Sequence, residues 1–357
     1  MSEANRQPKD ALPPDRSGLG TEARHPASAR LHAMSATECV ALLHEADREA
    51  VAAAGRAGPA IARFVEAVMP GFAAGGRLIY VGAGTSGRLG VLDASEAPPT
   101  FCVEPGRIVG IIAGGDASLR RSSEGMEDDP NGAAEELTAL VLSPHDSVLG
   151  IAAGGTTPYV LGALRLARDM GAGVTGLLTC ARVEEWGRRD EGTEGRSGEK
   201  EGQESGGVAG AGSHRSGDRC HQSAAPEERG TREHDHLILC ETGPEVLTGS
   251  TRLKAGTATK LVLNAISTTL MVRTGRVYQN LMVDVRATND KLKDRAARIV
   301  STLTGLDRAA AFAALERGGW SAKTTVVMRR FGVDRAEAEW RLAAVGGRLG
   351  EALSDEM

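Results

Sequence analysis

Two glycine-rich stretches carry the residue types best suited to hold an anion. GAGTSGRLG (82–90) follows an apolar run and opens a helical one, and Gly82, Gly84 and Gly87 satisfy G-x-G-x-x-G. Thr85 and Ser86 set two hydroxyls beside the unpaired N–H groups of a helix start, where donors and helix dipole act together on a phosphate dianion. Three readings of this stretch stand open: a cradle for a phosphate ester, a dinucleotide loop, and a structural glycine turn. The second stretch, IAAGGTTPYV (151–160), again joins a strand end to a capped helix and offers Gly154, Gly155, Thr156 and Thr157. Two such loops on one sheet edge suit a phosphorylated sugar, with phosphate at one and ring hydroxyls at the other. Acids at 93–101 and 124–129 and a cation at Lys260 could join these loops. In DASEAPPTF (93–101), Pro98 and Pro99 are expected to stop the helix and stiffen the segment, holding Glu96 near the first loop; the plainer alternative is a solvated loop acid. The acids of EGMEDD (124–129) read equally as a solvated helix face, and Lys260 either adds a cation to the site or snorkels out of an apolar helix.

These loops need a scaffold that brings them to one edge. Apolar runs without polar alternation at 77–81, 108–112, 147–153, 174–179 and 237–241 predict strands buried on both faces. Between the third and fourth, Thr157 as N-cap, Pro158 at the first helical position and Gly171 past the end predict a helix, hence a βαβ unit. Ser35 and Glu38 form a capping box ahead of a helix to about residue 54, and 252–274 reads as a long apolar helix stopped by Gly275. Strands alternating with helices give an α/β fold with a doubly wound, mainly parallel sheet, whose ligands collect beyond the carboxyl ends of the strands. From residue 307 onward, glycine breaks at 318–319 and 332 predict a small C-terminal domain of three helices. Residues 1–20 lack apolar periodicity and are expected to be a disordered tail; 187–235, whose only large apolar residue is Val208, is expected to be a disordered insertion.

Composition excludes several classes. A formal net charge of −5 and 3% aromatic residues give neither phosphate-backbone attraction nor base-stacking platforms, so no nucleic acid is expected as partner. Cys39, Cys102, Cys180, Cys220 and Cys240 are scattered and odd in number, which argues against a disulfide framework and a zinc site and for a reducing compartment. No apolar run is long enough to span a bilayer and no signal-like segment opens the chain, so a cytoplasmic protein without membrane attachment is expected.

Longer strings resemble one family. TEARHPASARLHAMS (21–35), GGRLIYVGAGTSGRLGVLDASEAPPTF (75–101), EGMEDD (124–129), GPEVLTGSTRLKAGTATKLVLNAIS (243–267) and NLMVDVRATNDKL (280–292) look like signature stretches of the N-acetylmuramic acid 6-phosphate etherases. The resemblance implies a sugar-isomerase (SIS) type phosphosugar domain over 21–300, a small helical domain over 305–357, and a homodimer. It implies cleavage of the D-lactyl ether of N-acetylmuramic acid 6-phosphate by elimination and then water addition, giving N-acetylglucosamine 6-phosphate and D-lactate with no cofactor. Such an elimination needs one carboxyl to accept a proton while another gives one. By motif position Glu96 matches the family's donor to lactate and Glu127 its second catalytic glutamate, the base at C2. Gly154 and Thr156 depart from the family's serine and arginine at the second loop, and His25 and His32 stand where Asn and Asp are usual. The alternative reading is a non-catalytic phosphosugar sensor, because the etherases are similar to the glucokinase regulatory proteins.

Overall fold

The computed structural model describes residues 16–182, 234–285, 287 and 289–354. The expected insertion lies outside this range apart from 234–235, and the expected tail apart from 16–20. Those two edges belong to the fold. Asp235 pairs with Arg168 at 2.7 Å and accepts from the Thr175 amide and hydroxyl at 3.1 and 2.9 Å. Leu19 closes a turn on the Arg16 carbonyl at 3.0 Å.

Five parallel strands build the sheet: β1 (Leu78–Gly82), β2 (Ile108–Ile112), β3 (Ser147–Ile151), β4 (Val174–Thr179) and β5 (His236–Leu239), in the order β2-β1-β3-β4-β5. All residues of β1 and β3 are buried, as the continuous apolar runs require of strands covered on both faces. The winding direction reverses between β1 and β3, so the loops leaving these neighbours diverge and open a crevice at their carboxyl ends.

Helices cover the sheet: α1 (Ala36–Arg56), α2 (Gly58–Ala73), α3 (Gly84–Phe101), α4 (Ala134–Leu140), α5 (Pro158–Asp169) and α6 (Lys254–Arg273). The expected capping box starts α1, with the Ser35 amide donating to Glu38 at 2.7 Å and the Glu38 amide to the Ser35 hydroxyl at 3.3 Å. Helix α6 stops just before Gly275, which takes the left-handed conformation at φ 81°. One core joins α1, α2, α3 and α6 to the sheet through Phe64, Val65, Tyr80, Leu149, Leu263 and Ile266 among others.

A short hairpin, β6 (Val277–Tyr278) with β7 (Leu281–Met282), leads into α7 (Asp290–Thr304), α8 (Arg308–Arg317), α9 (Ala322–Phe331), α10 (Arg335–Ala344) and the single turn α11 (Leu349–Ala352). Asn289, Asp307, Ser321 and Asp334 cap the four longer helices, each side chain accepting the amide three residues on. Val283, Val300, Leu315, Val327 and Leu342 gather in a second core. Helix α7, most of which falls within 21–300, contributes Ala296, Ala297, Ile299 and Val300 to that second core rather than to the first.

One expectation is overturned. Pro98 and Pro99 do not end the helix: α3 runs through both to Phe101, and Cys102 closes it in the left-handed region at φ 51°. The prolines fall in the last turn, where each removes one bond to the carbonyl four residues back, and the burial of Gly87, Gly90, Asp93, Ala94 and Ala97 in the preceding turns outweighs that loss. Glu96 therefore sits on a helix and not on a stiff loop.

The turn from β1 into α3 has no spare space. A Cβ on Gly82 would meet the Gly87 amide nitrogen at 2.7 Å, and one on Gly87 would meet both the Gly82 carbonyl and Ile112 Cγ1 at 2.6 Å. At the opposite edge Asp146, 2% exposed, ties the starts of β1 and β3 together. It binds Arg77 through both carboxylate oxygens at 2.8 Å and accepts from the Arg77 and Ser143 amides, each at 2.8 Å. Burial opposes its charge, but these donors outweigh it and hold the carboxyl far below the usual carboxylate range.

Two outcomes follow for stability. Replacing Gly87 by Ala costs about 1–3 kcal/mol in denaturant unfolding, because the Gly82 backbone on one side and the Ile112 side chain on the other must move to admit the new methyl. Replacing Asp146 by Ala costs about 3 kcal/mol, since it leaves Arg77 half-buried and unpaired. In the native protein the contribution of Asp146 is complete above about pH 4 and is lost as pH falls toward its depressed value, so the Ala variant loses the corresponding part of the acid-side slope.

Candidate active site

The crevice at the β1–β3 reversal is lined by the two expected loops. Helix α3 starts at Gly84 with Ala83 in the N-cap position and no side-chain cap bond from it, so the amides of Gly84, Thr85 and Ser86 have no carbonyl partner within the helix. Gly84 takes φ 53°, a conformation that favours glycine. Helix α5 likewise starts without a side-chain cap bond at Thr157, after Gly154, Gly155 (φ 75°) and Thr156. The α3 start is suited to an anion, whereas α5 adds no open amide of its own: Pro158 has none, and those of Val160 and Leu161 donate to the Thr157 carbonyl at 3.0 and 3.1 Å.

Glu127 stands between these loops. Its backbone carbonyl accepts the Tyr159 amide in the first turn of α5 at 3.1 Å. Its Oε1 lies 3.0 Å from where a Cβ on Gly84 would stand, so the missing side chain of Gly84 is what admits the carboxylate to the α3 start. The acids of EGMEDD are therefore not merely a solvated face: Glu127 is half-buried and Asp128 and Asp129 are exposed.

A third helix start adjoins the first, since a Cβ on Gly256 would stand 3.5 Å from Thr85 Cγ2. This one is satisfied internally. Glu245, fully buried, accepts the Lys254 and Ala255 amides at 2.9 Å each. Burial pushes the Glu245 carboxyl up, although the two amides and Lys254 favour its charged form. Lys254 is itself 1% exposed and pairs with Glu49 of α1 at 2.5 Å. Sequence reasoning missed both residues, and GPEVLTGSTRLK holds no period that would reveal a carboxylate folding back onto a helix nine residues later.

The N-terminal segment closes the flank. The Thr21 carbonyl accepts the Gly249 amide at 3.1 Å, and Leu19 Cδ1 lies 3.7 Å from the Cβ position of Gly154. Arg24, His25, Ser28, His32, Leu247 and Thr248 line a cavity of about 390 Å³ there.

The remaining predicted residues lie elsewhere on α3 and α6. Twelve residues separate Gly84 from Glu96, a rise of roughly 18 Å along the helix, so the structure does not bring Glu96 to the first loop. It is exposed near the far end of α3. Lys260 donates to Asn264 one turn on, and its charge bears on Asp93, as does that of Glu96. Asp93 is the group the sequence reading passed over: 6% exposed, it accepts from Tyr80 of β1 at 3.0 Å and from Ser267 of α6 at 3.1 Å. Burial pushes its carboxyl up against the pull of those two donors. Its place between Gly90 and Ala97 on the small-residue stripe of α3 was the available signal, for a carboxylate there must find partners inside.

Comparison with known proteins agrees with this architecture. Residues 60–168 match the family model described as the glucokinase regulatory protein N-terminal SIS domain. A solved structure of the E. coli CFT073 protein c3406 aligns over 69% of this chain and 97% of its own, at 13% identity and a TM-score of 0.41, which is too loose to carry weight. Full-length similarity is far stronger. The chain is 46% identical to the N-acetylmuramic acid 6-phosphate etherase of Gloeobacter violaceus across 95% of its own length and 96% of the relative's. It is 44% identical to that of Serratia proteamaculans (94% and 98% covered) and 43% identical to that of Cutibacterium acnes (94% and 95%). On this similarity, over a chain folded as a SIS-type α/β sheet with a helical C-terminal region, the protein belongs to the N-acetylmuramic acid 6-phosphate etherase family.

Proposed function

We propose that the protein cleaves the D-lactyl ether of N-acetylmuramic acid 6-phosphate. The observation that carries this reading is Glu127, a carboxylate held between two donor-lined loops by the absence of a side chain at Gly84. The phosphate rests on the amides of Gly84, Thr85 and Ser86 with the two hydroxyls, and Gly154, Gly155, Thr156 and Thr157 receive the sugar hydroxyls. In the open-chain sugar the C1 aldehyde acidifies the C2 proton. Glu127 takes that proton, the C2–H electron pair becomes the C2=C3 double bond, and the C3–O bond breaks. Glu96 protonates the departing lactate oxygen. Water then adds across the double bond, its hydroxyl to C3 and a proton to C2, giving N-acetylglucosamine 6-phosphate and D-lactate. No electrons leave the substrate. Lys260 supports the acid from beside Asp93, where its positive charge balances two carboxylates. We place the reaction in the cytoplasm, where a phosphorylated sugar is retained, and in a homodimer.

The second reading, a non-catalytic phosphosugar sensor, draws on the match to the glucokinase regulatory protein domain. The near-complete coverage of the etherases, together with Glu96 and Glu127 at their motif positions, favours the enzyme.

The test is D-lactate release from N-acetylmuramic acid 6-phosphate. The wild type releases lactate, while Glu127→Gln and Glu96→Gln each lose about 100-fold or more in turnover, the size expected when a general acid or base is removed. In deuterated water Glu96→Gln still exchanges the C2 proton and Glu127→Gln does not. Loss of exchange in both variants would count against this assignment, exchange kept in Glu127→Gln alone would swap the two roles, and saturable sugar-phosphate binding without lactate would establish the sensor.

A further inference from the structure

We infer that the cavity beside the N-terminal segment is a binding site for a small hydroxylated organic anion, a sugar-sized phosphomonoester or carboxylate, separate from the crevice at the α3 start. Arg24, His25, Ser28, His32 and Thr248 give this cavity of about 390 Å³ its polar lining, and Leu31 and Val246 add apolar surface. None of these residues belongs to the loops that the etherase reading uses, so the site does not rest on it.

Charge selects the ligand. Arg24 carries a permanent positive charge and has no ion-pair partner among the described residues. Two imidazoles, each an N–H donor in either protonation state, and two hydroxyls complete the polar lining. No carboxylate lines the cavity: Glu22 lies against Gly249, with Oε2 2.9 Å from that residue's Cβ position, and Glu245 is turned to the Lys254 and Ala255 amides. A guanidinium repels a cation and offers an oxyanion two parallel N–H bonds. This chain has His25 and His32 where Asn and Asp are usual. An Asp at position 32 would offset the charge of Arg24, so the preference for an anion comes with this chain's own residues.

The lining is held in place before any ligand arrives. The Thr21 carbonyl accepts the Gly249 amide at 3.1 Å and so clips the two lining segments together. The Ser28 amide and hydroxyl both donate to the His25 carbonyl, at 3.2 and 3.1 Å. Within this fixed segment His25 Nδ1 is buried with no hydrogen-bond partner, and so is Oγ1 of Thr21, a residue 1% exposed. Buried polar atoms nearly always find partners, so two orphans four residues apart mark a place built to meet polar groups from outside the chain. Volume adds the last constraint. About 390 Å³ lies within the range of small-molecule sites, about 300–1,000 Å³, and exceeds what a bare oxyanion fills. The remaining space and the apolar surface suit a short carbon skeleton.

Histidine-selective NMR of the full chain decides the matter, with the ring signals of His25 and His32 identified by their loss in His25→Gln and His32→Gln. Glucose 6-phosphate, gluconate and uncharged glucose are the probes. Both signals move saturably with glucose 6-phosphate or gluconate and stay in place with glucose; a response to one anion alone supports the site and tells phosphate from carboxylate. Arg24→Gln and His32→Asp, both at exposed positions, weaken binding about 10-fold or more, the size of one lost charge-assisted hydrogen bond, while the other histidine signals report that each variant is folded. A chain carrying Thr85→Ala and Ser86→Ala, stripped of both hydroxyls at the α3 start, titrates like the wild type. Signals unmoved by either anion, equal movement with glucose, or wild-type affinity in Arg24→Gln overturns the inference. Loss of the response in the Thr85→Ala, Ser86→Ala chain overturns it too, because binding then belongs to the crevice. Lactate release is no part of this readout, so a failed etherase reading and a failed anion site are told apart.

Discussion

The contact between Gly82 and Gly87, where β1 turns into α3 with no room for a Cβ on either residue, sets the geometry of everything around the crevice. At this turn α3 begins with Ala83 in the N-cap position, whose side chain cannot cap it, and its first amides have no carbonyl partner within the helix. The same turn sets the direction of α3, which runs back along the sheet and carries Asp93 and Glu96 away from the crevice. Donor-rich mouth and distant acid are two consequences of one backbone path.

Electrostatics divides the three neighbouring helix starts between structure and chemistry. Glu245 satisfies α6 from within, and Lys254 beside it is paired with Glu49, so this start is closed to a ligand. The start of α3 has no side-chain bond from its N-cap residue, and that of α5 is satisfied by the Glu127 and Thr157 carbonyls. Glu127 stands next to the α3 start, because its backbone is tied to the Tyr159 amide and the open space over Gly84 admits its side chain.

Asp93 makes the far end of α3 as rigid as the near end. A buried carboxylate with two hydroxyl donors, from β1 and from α6, locks three elements together and sits one turn from Glu96, so the position of Glu96 is a property of the whole sheet and not of a mobile loop.

Much of this was legible in the residues. Strands read from continuous apolar runs lie within a residue or two of their observed bounds, since burial on both faces leaves no other pattern, and the Ser35–Glu38 box and Gly275 mark real helix ends because caps are local chemistry. Both glycine-rich loops were identifiable for the same reason. Other features depended on tertiary structure. Pro98 and Pro99 stay helical because packing of Ala94 and Ala97 against the sheet outweighs two lost donors in a last turn, an effect with no local signature. Glu245, Lys254 and Asp93 find their partners across long sequence separations, and Glu127 lies beside Gly84 because β1 and β3 are neighbours in the sheet. The sequence by itself determined which elements form and which loops hold donors, because turns, caps and apolar periodicity are short-range. Only the tertiary structure decided which carboxyl reaches those donors, because that depends on strand order and helix direction, to which short-range pattern is blind.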